Sequence, residues 1–288
     1  MDLGRFGIWS GQFRSRHAER NAEAARRIEE LGYGALWIPG GAGGEIFGDV
    51  TNALAATDRL IVATGILNVW AHEPAEAAAG HAEVGGRFPG RFLLGLGISH
   101  AMLVESIGAT YDRPLIRMRA YLDALDAADP PVPADQRVLA ALGPKMLELA
   151  GERTAGAHPY FTTPEHTAIA RAALGAGPLL APEQMVVLET DAGTAREVAR
   201  QAAAIYLNLP NYTNNLRRLG WGDDDLAPPG SDRLIDAVVT WGSAETIAGR
   251  VAEHHDAGAD HVCIQVLTAD PGTVPTEQWA EVAGALGL

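Results

Sequence analysis

Short apolar runs alternate with segments of helical periodicity along the whole chain. The first run, Phe6–Trp9, precedes a helix-period segment at about His17–Leu31, which Gly32 would close as a C-cap. Alternation of this kind favours βαβ units, in which helices join parallel strands. The predicted strands are Phe6–Trp9, Ala35–Ile38, Ile61–Leu67, Phe92–Leu96, Val138–Leu142, Gly156–Tyr160, Met185–Leu188 and His261–Val266.

A predicted helix accompanies each predicted strand. The alternation of strands and helices has one long interruption, Asn208–Trp241, which we expect to contain extra short helices. Eight strand–helix pairs predict a single (β/α)8 TIM barrel over residues 1–288, with a helical insertion before the last helix–strand unit. The predicted helices lie at about His17–Leu31, Val50–Thr57, Pro74–Arg87, Leu115–Ala127, from Pro144, after Thr163-Pro164, and at Ala192–Leu207, Ala244–Ala257 and Glu277–Leu286.

Composition narrows the class of partner. The formal net charge of −14 would repel nucleic acid and anionic membrane surfaces. Cys263 is the only cysteine, so no intrachain disulfide forms, and its place within a strand favours a buried, inert thiol. Neither a signal peptide nor an apolar run long enough to span a bilayer is visible, and we therefore expect a cytoplasmic protein.

A barrel places its active site at the C-terminal ends of the strands. His100 follows the fourth predicted strand, and His158 lies near the end of the sixth; both are candidate acid–base groups. Gly65 and Gly97 interrupt apolar runs, which is typical of a close approach by backbone or ligand. The other candidate contacts at these strand ends are Gly40, Gly41, Ile66, Asn68, Ser99, Leu142, Gly143, Lys145, Tyr160 and Thr162.

Two further features of these ends leave alternatives open. A helix starting at Gly143-Pro144-Lys145 would present free amides beside the only lysine, which suits a phosphate, although a solvated lysine on a capped helix fits equally well. His72, His100 and His158 could converge on a metal, but no metal-binding motif supports them. We expect His17, His81, His254 and His255 to lie on helix surfaces.

Motifs for other chemistries are missing. The sequence has no Gly-x-Ser-x-Gly elbow, no Walker loop and no cysteine placed for nucleophilic attack. The candidate site is aromatic, rich in glycine and poor in carboxylates. Such a site suits a cofactor that brings its own chemistry.

In several segments the chain resembles the luciferase-like superfamily of flavin-dependent barrels, and within it an actinobacterial branch that uses the deazaflavin coenzyme F420. The resemblance covers nearly the whole chain, and its order and spacing make it specific. The segments that carry it are Leu31–Ile38, Ala63–Asn68, Gly90–Gly97, Ala141–Met146 and Thr163–Thr167.

The resemblance implies a cofactor ring over the barrel mouth and a non-proline cis peptide at Gly65–Ile66. It implies that Asn68 contacts the ring edge, that Ser99 and His100 line the ring and substrate, and that Leu142, Gly143 and the loop after the sixth strand hold the cofactor phosphate and side chain. It also implies a homodimer formed through the second and third helices.

There is one departure from the family pattern. The F420 dehydrogenases that this chain resembles have an Asp-His pair just after the second strand. At that position this chain has Pro39-Gly40-Gly41. Another residue, such as His100, would then take the acid–base role, or little help with proton transfer is needed.

The leading hypothesis is an oxidoreductase that transfers hydride between coenzyme F420 and a small organic substrate. An FMN-dependent luciferase-like monooxygenase is the alternative within the same fold. A non-catalytic flavin- or deazaflavin-binding protein and a metal-dependent hydrolase built on His72, His100 and His158 are alternatives of other classes.

Overall fold

The computed structural model of the chain describes residues 1–40, 44–106, 108 and 110–288. Gly41, one of the candidate cofactor contacts, lies outside the described residues. The strands are β1 Phe6–Trp9, β2 Ala35–Ile38, β3 Ile61–Thr64, β4 Leu67–Asn68, β5 Phe92–Gly97, β6 Arg137–Leu139, β7 Gly156–Ala157, β8 Leu179–Leu180, β9 Glu183–Val187, β10 Val239–Trp241 and β11 Val262–Val266.

The helices alternate with these strands. Several begin with proline at the first turn, where its missing N–H costs nothing. The helices are α1 Ala18–Glu30, α2 Ile46–Ala55, α3 Pro74–Arg87, α4 Ala101–Ser106, α5 Pro114–Asp126, α6 Pro144–Arg153, α7 Pro164–Leu174, α8 Ala192–Tyr206, α9 Pro210–Arg218, α10 Asp223–Leu226, α11 Asp232–Val238, α12 Ala244–Asp256 and α13 Thr276–Leu286.

All the strand pairs are parallel and form a ring. The order runs β11-β1-β2-β3-β5-β6-β7-β8. The chain then continues from β8 into β9, which pairs with β11. Hydrogen bonds from Glu183 N to Pro159 O (2.9 Å) and from Cys263 N to Pro182 O (2.9 Å) join this stretch to both neighbours. The predicted TIM barrel is therefore confirmed, with its seventh strand in two pieces.

The barrel interior is packed by one apolar cluster. Trp9, Trp37, Leu93, Val138 and Cys263 belong to it and come from five different strands. Because the strands are covered by helices on the outside and by each other within, their residues are buried on both faces, as their continuous apolar runs predicted. The burial of Cys263 agrees with the predicted inert thiol.

Two strand assignments needed correction, and one helix was not predicted. The predicted third strand is two segments, β3 and β4, because the chain bends at Gly65 and Ile66 between them. The predicted interruption contains helices α9, α10 and α11 but also β10, which pairs in parallel with β9. Helix α4, which follows β5, was not among the predicted helices.

Two histidines predicted on the surface are buried. His81 is 6% exposed on the inward face of α3, where its ring lies 5.7 Å from that of Phe92. His254 is fully buried on α12, with its ring nitrogens bonded to Thr167 Oγ1 (2.8 Å) and Gln184 Oε1 (2.9 Å). Helical position alone did not reveal these contacts, because the partners come from other elements.

None of the helices in the described part of the chain is both long and apolar enough to cross a membrane.

Candidate active site

Two adjoining cavities, which we call the ring cavity, open at the C-terminal ends of the strands. One has a volume of about 310 Å³ and the other about 220 Å³. They share a wall, and most of the lining is apolar or aromatic. The residues that line both are Ile66, Ser99, His100, Ala140, His158, Tyr160 and Tyr212.

The bend between β3 and β4 forms one side of this cavity. The peptide bond between Gly65 and Ile66 is cis, as the resemblance implies, and Trp9 Nε1 donates a hydrogen bond to Gly65 O (3.0 Å). The Ile66 side chain fills the space that a Cβ atom on Gly97 would need, since that atom would lie 2.3 Å from Ile66 Cδ1. Gly97 is therefore required for Ile66 to reach the cavity.

The glycine that replaces the Asp-His pair has a packing role. Gly40 N donates to Ile66 O (3.0 Å), and a Cβ atom on Gly40 would lie only 2.5 Å from that oxygen. A side chain at this position would push the Ile66 backbone into the cavity. Gly40 thus supports the cavity from behind and does not line it.

His158 is fully enclosed at the base of the cavity. Its Nδ1 lies 2.7 Å from Ala181 O, which can only accept, so Nδ1 carries the proton and Nε2 is an acceptor. Nε2 is buried without a partner among the described residues and lies near Gly65, 3.3 Å from where a Cβ atom there would be. Burial lowers the pKa of His158 to about 4, so the ring is neutral at pH 7.

His100 is less enclosed and has a different partner. Its Nδ1 lies 3.0 Å from Asn211 Oδ1 on α9, and its ring packs 5.3 Å from that of Tyr212. Burial lowers the pKa of His100 below the usual value, and the bond to Asn211 opposes the shift. With Nδ1 donating to Asn211, Nε2 of the neutral ring is available to accept a proton.

Aromatic residues close the side of the cavity opposite β5. Tyr160 OH contacts both Tyr206 OH and Gln265 Oε1 at 2.8 Å. Below them lies Glu183, whose Oε2 accepts a hydrogen bond from Phe161 N (3.2 Å). Burial raises the pKa of Glu183 to about 8, so this carboxyl group is neutral at pH 7.

A cation lies at one end of the cavity, and it is not the one the sequence suggested. Arg218, on α9, lines the cavity together with Gly143 and donates from Nη2 to Asn215 Oδ1 (3.0 Å). Lys145 is exposed on the first turn of α6 and is not part of the lining. Arg218 lies in the insertion, a segment in which the sequence pattern indicated no chemistry.

Most of the predicted site residues come together here. The two histidines and eight of the predicted cofactor contacts line the ring cavity: His100, His158, Gly65, Ile66, Asn68, Gly97, Ser99, Leu142, Gly143 and Tyr160. Gly40, Lys145 and Thr162 do not line it, and Thr162 is buried.

Several lining residues were not predicted from the sequence. Trp9 ends a predicted strand, whereas Tyr206 is the last residue of α8, and Asn211, Tyr212 and Arg218 belong to the insertion. The cluster of Asn211, Asn214 and Asn215 could have indicated that this segment takes part in the site, because amide side chains both donate and accept hydrogen bonds. His166 was not predicted either, although its Nε2 donates to Leu142 O (2.9 Å) and holds that loop.

The histidines considered for a metal do not converge. His72 is buried away from the cavity with Nδ1 2.9 Å from Glu76 Oε1. Within the described ranges, no group of three or more histidine, cysteine, aspartate or glutamate residues is arranged to hold a metal ion. The geometry therefore offers the metal-dependent hydrolase hypothesis no support.

Comparison with known families and proteins agrees with this geometry. Residues 3–128 match the family model described as luciferase-like monooxygenase. This match confirms the resemblance to the luciferase-like superfamily over that part of the chain. A protein of Mycobacterium tuberculosis named as a putative coenzyme F420-dependent oxidoreductase is 29% identical over 159 residues, which cover 54% of this chain and 44% of that protein. The chain thus matches less than half the length of this relative.

Solved structures share the fold over nearly the full length. An F420-dependent secondary alcohol dehydrogenase in complex with an F420-acetone adduct superposes with a TM-score of 0.76 at 18% identity, covering 99% of each chain. The oxygenating component of 3,6-diketocamphane monooxygenase from Pseudomonas putida, in complex with FMN, gives 0.71 at 13% identity, covering 98% of this chain and 96% of that one. At these identities the likeness concerns the fold.

Proposed function

We propose that the protein is an oxidoreductase that binds coenzyme F420 and transfers hydride between it and a small organic substrate. The observation that carries the proposal is the ring cavity itself. It is apolar around Ile66, offers neutral imidazoles at His100 and His158, and ends at the cation of Arg218. A flat heterocycle fits the apolar part of the cavity and the two imidazoles, and an anionic tail on that heterocycle fits the cation of Arg218. The names of the F420-dependent relatives support the same choice.

Nε2 of His158, which has no hydrogen-bond partner among the described residues, bears on whether a deazaflavin fits the cavity. A buried acceptor without a partner costs free energy unless a ligand supplies a donor. His158 lines the ring cavity, and the deazaflavin ring carries N–H and O–H donors, one of which would satisfy Nε2 of His158 if it reached that atom. Ile66, Ser99, Asn68 and Gly97 would flank the ring, and Leu142, Gly143 and Arg218 would hold the tail.

When bound, F420 supplies the hydride donor and acceptor chemistry. The protein must position the substrate, exclude water and move the proton that accompanies a hydride. His100 suits the proton step because its Nε2 is available and its pKa stays closer to neutrality than that of His158. His158 suits hydrogen bonding, since a pKa of about 4 makes it a weak base.

The first prediction is that F420 binds more tightly than FMN. Purified protein is titrated with each ligand separately while the quenching of its tryptophan fluorescence is followed, because Trp9 lines the cavity. A lower dissociation constant for F420 supports the proposal. A lower one for FMN would favour the monooxygenase alternative. Binding of either without turnover of any substrate would favour a non-catalytic binding protein.

A second prediction concerns the anionic tail. Arg218→Ala should weaken F420 binding by roughly tenfold and flatten its salt dependence, because a partly screened charge contact is lost. Lys145→Ala is the matched control, and its affinity should stay within about twofold of the unsubstituted protein, since the lysine is exposed and outside the lining. A larger loss for Lys145→Ala than for Arg218→Ala would restore the helix start as the phosphate site.

Two expectations remain predictions beside this function. One is a homodimer formed through α2 and α3, as the resemblance implies. The other is a cytoplasmic location.

A further inference from the structure

A separate cavity of about 260 Å³ lies beside the ring cavity, between α8 and the ends of β1 and β11. We call it the side chamber. Gln12 closes part of its rim by donating from Nε2 to Pro271 O (3.2 Å), which joins the loops that follow the two strands. Because it adjoins the mouth of the barrel, a molecule in the side chamber would lie next to the proposed cofactor.

A hydrogen-bonded partition divides the two spaces. Tyr160 lines the ring cavity, and Gln265 lines the side chamber. Tyr206 and Trp9 line both. Tyr160 OH donates to Gln265 Oε1 (2.8 Å) and accepts from Tyr206 OH (2.8 Å), and these two hydrogen bonds hold this wall together. The side chamber is therefore a distinct space that meets the ring cavity at Trp9 and Tyr206.

The described residues that line the side chamber are all uncharged. Its walls are apolar at Val198, Leu267 and Pro271, and its polar groups are amides and hydroxyls. With Oε1 of Gln265 accepting from Tyr160, the Nε2 group of Gln265 makes no hydrogen bond to any residue that the structure describes. Among these described residues an anion would find no cation, in a chain of net charge −14, and an ammonium group would find no carboxylate.

We propose that the side chamber binds an uncharged small molecule with an apolar body and a hydroxyl or carbonyl oxygen, at a site separate from the ring cavity. The oxygen accepts a hydrogen bond from Gln265 Nε2, and the body packs between Trp9 and α8. That the chamber selects an uncharged ligand rests on its own lining.

The test compares three probes of one shape: benzyl alcohol, benzoate and benzylammonium. Ligand-observed NMR titrations without cofactor should show benzyl alcohol binding at least about tenfold more tightly than either ion, since neither charge can be compensated in the chamber. The binding should persist when F420 is present at saturation. Displacement of benzyl alcohol by F420 would place it in the ring cavity and overturn the proposal.

Substitutions on α8 locate the binding. Ala202 lines the side chamber, and Ala202→Phe would fill it, whereas the exposed Ala204 on the same helix lines neither space. Ala202→Phe should weaken benzyl alcohol binding by about tenfold or more, and Ala204→Phe should leave it unchanged. Equal binding by both variants, or no measurable binding to the unsubstituted protein, would refute the proposal.

A second variant covers the case in which Ala202→Phe fails to fold. Gln201 is exposed at the chamber, so Gln201→Arg adds a cation with little effect on packing. It should make benzoate the preferred probe, and an unchanged order of affinities would contradict the assignment. If F420 does not bind while these effects are seen, the proposed function fails and the neutral binding site stands.

Discussion

Replacing His100 with alanine is expected to lower turnover by about 10²–10⁴-fold while the affinity for F420 changes little, because general acid–base help is worth that much in rate. His100 lines both parts of the ring cavity, and Asn211 Oδ1 holds its Nδ1 so that Nε2 can exchange a proton with the substrate oxygen. The measurement is kcat with small alcohols or ketones as substrates, beside a fluorescence titration with the cofactor.

A glutamine at position 100 separates proton transfer from positioning. His100→Gln keeps a hydrogen-bonding group but cannot titrate, so it should be as slow as the alanine variant. In the unsubstituted protein, activity in the oxidative direction should fall as the pH drops through the pKa of His100, which burial holds below the usual value, because the protonated ring cannot accept a proton. The glutamine variant should lack this acid limb.

The control for these variants is His17→Ala, at an exposed position outside the cavity. It should retain full activity. Recovery of the rate by His100→Gln would mean that His100 only positions the substrate. Full activity in both position-100 variants would remove His100 from the mechanism.

The largest expected effect on stability comes from Gly95→Ala. Gly95 lies on β5 where the strand passes closest to β3, and a Cβ atom there would lie 1.9 Å from Thr64 O. Thr64 Oγ1 donates to Gly95 O (2.7 Å) and accepts from Gly95 N (2.8 Å), so this contact joins the strands just before the cis peptide. The backbone must move to admit a methyl group, which should cost about 3 kcal/mol or more in the free energy of unfolding.

Gly86→Ala is the matched control for this substitution. Gly86 lies on α3, and a Cβ atom there would meet nothing within 4 Å. Alanine favours the helix, so this variant should be more stable by roughly 0.5–1 kcal/mol. Urea unfolding monitored by circular dichroism measures both free energies. Equal stability of the two variants would show that β3 and β5 can separate without loss.

Local pattern was sufficient for the barrel because its strands are buried on both faces and its helices on one. β1, β2 and α3 begin and end at the residues predicted from hydrophobic runs and from the proline at position 74. The close approach at Gly65 and Gly97 was also predictable, since glycine weakens an apolar strand unless a backbone or a ligand needs the space of its missing side chain. The atoms that occupy that space were not predictable, because Trp9, Ile66 and His158 come from segments far apart in the chain.

The sequence by itself determined the order of strands and helices, the strand ends where the site forms, and the histidines available for it. Only the tertiary structure decided which cation faces the cavity, because Arg218 reaches it from an insertion, while Lys145 is exposed at the helix start that the sequence favoured. It also decided the protonation of His158 and Glu183 and the neutrality of the side chamber. These protonation states and the uncharged lining depend on burial and on groups that come from distant segments of the chain. Hydrophobic periodicity predicts neither of these.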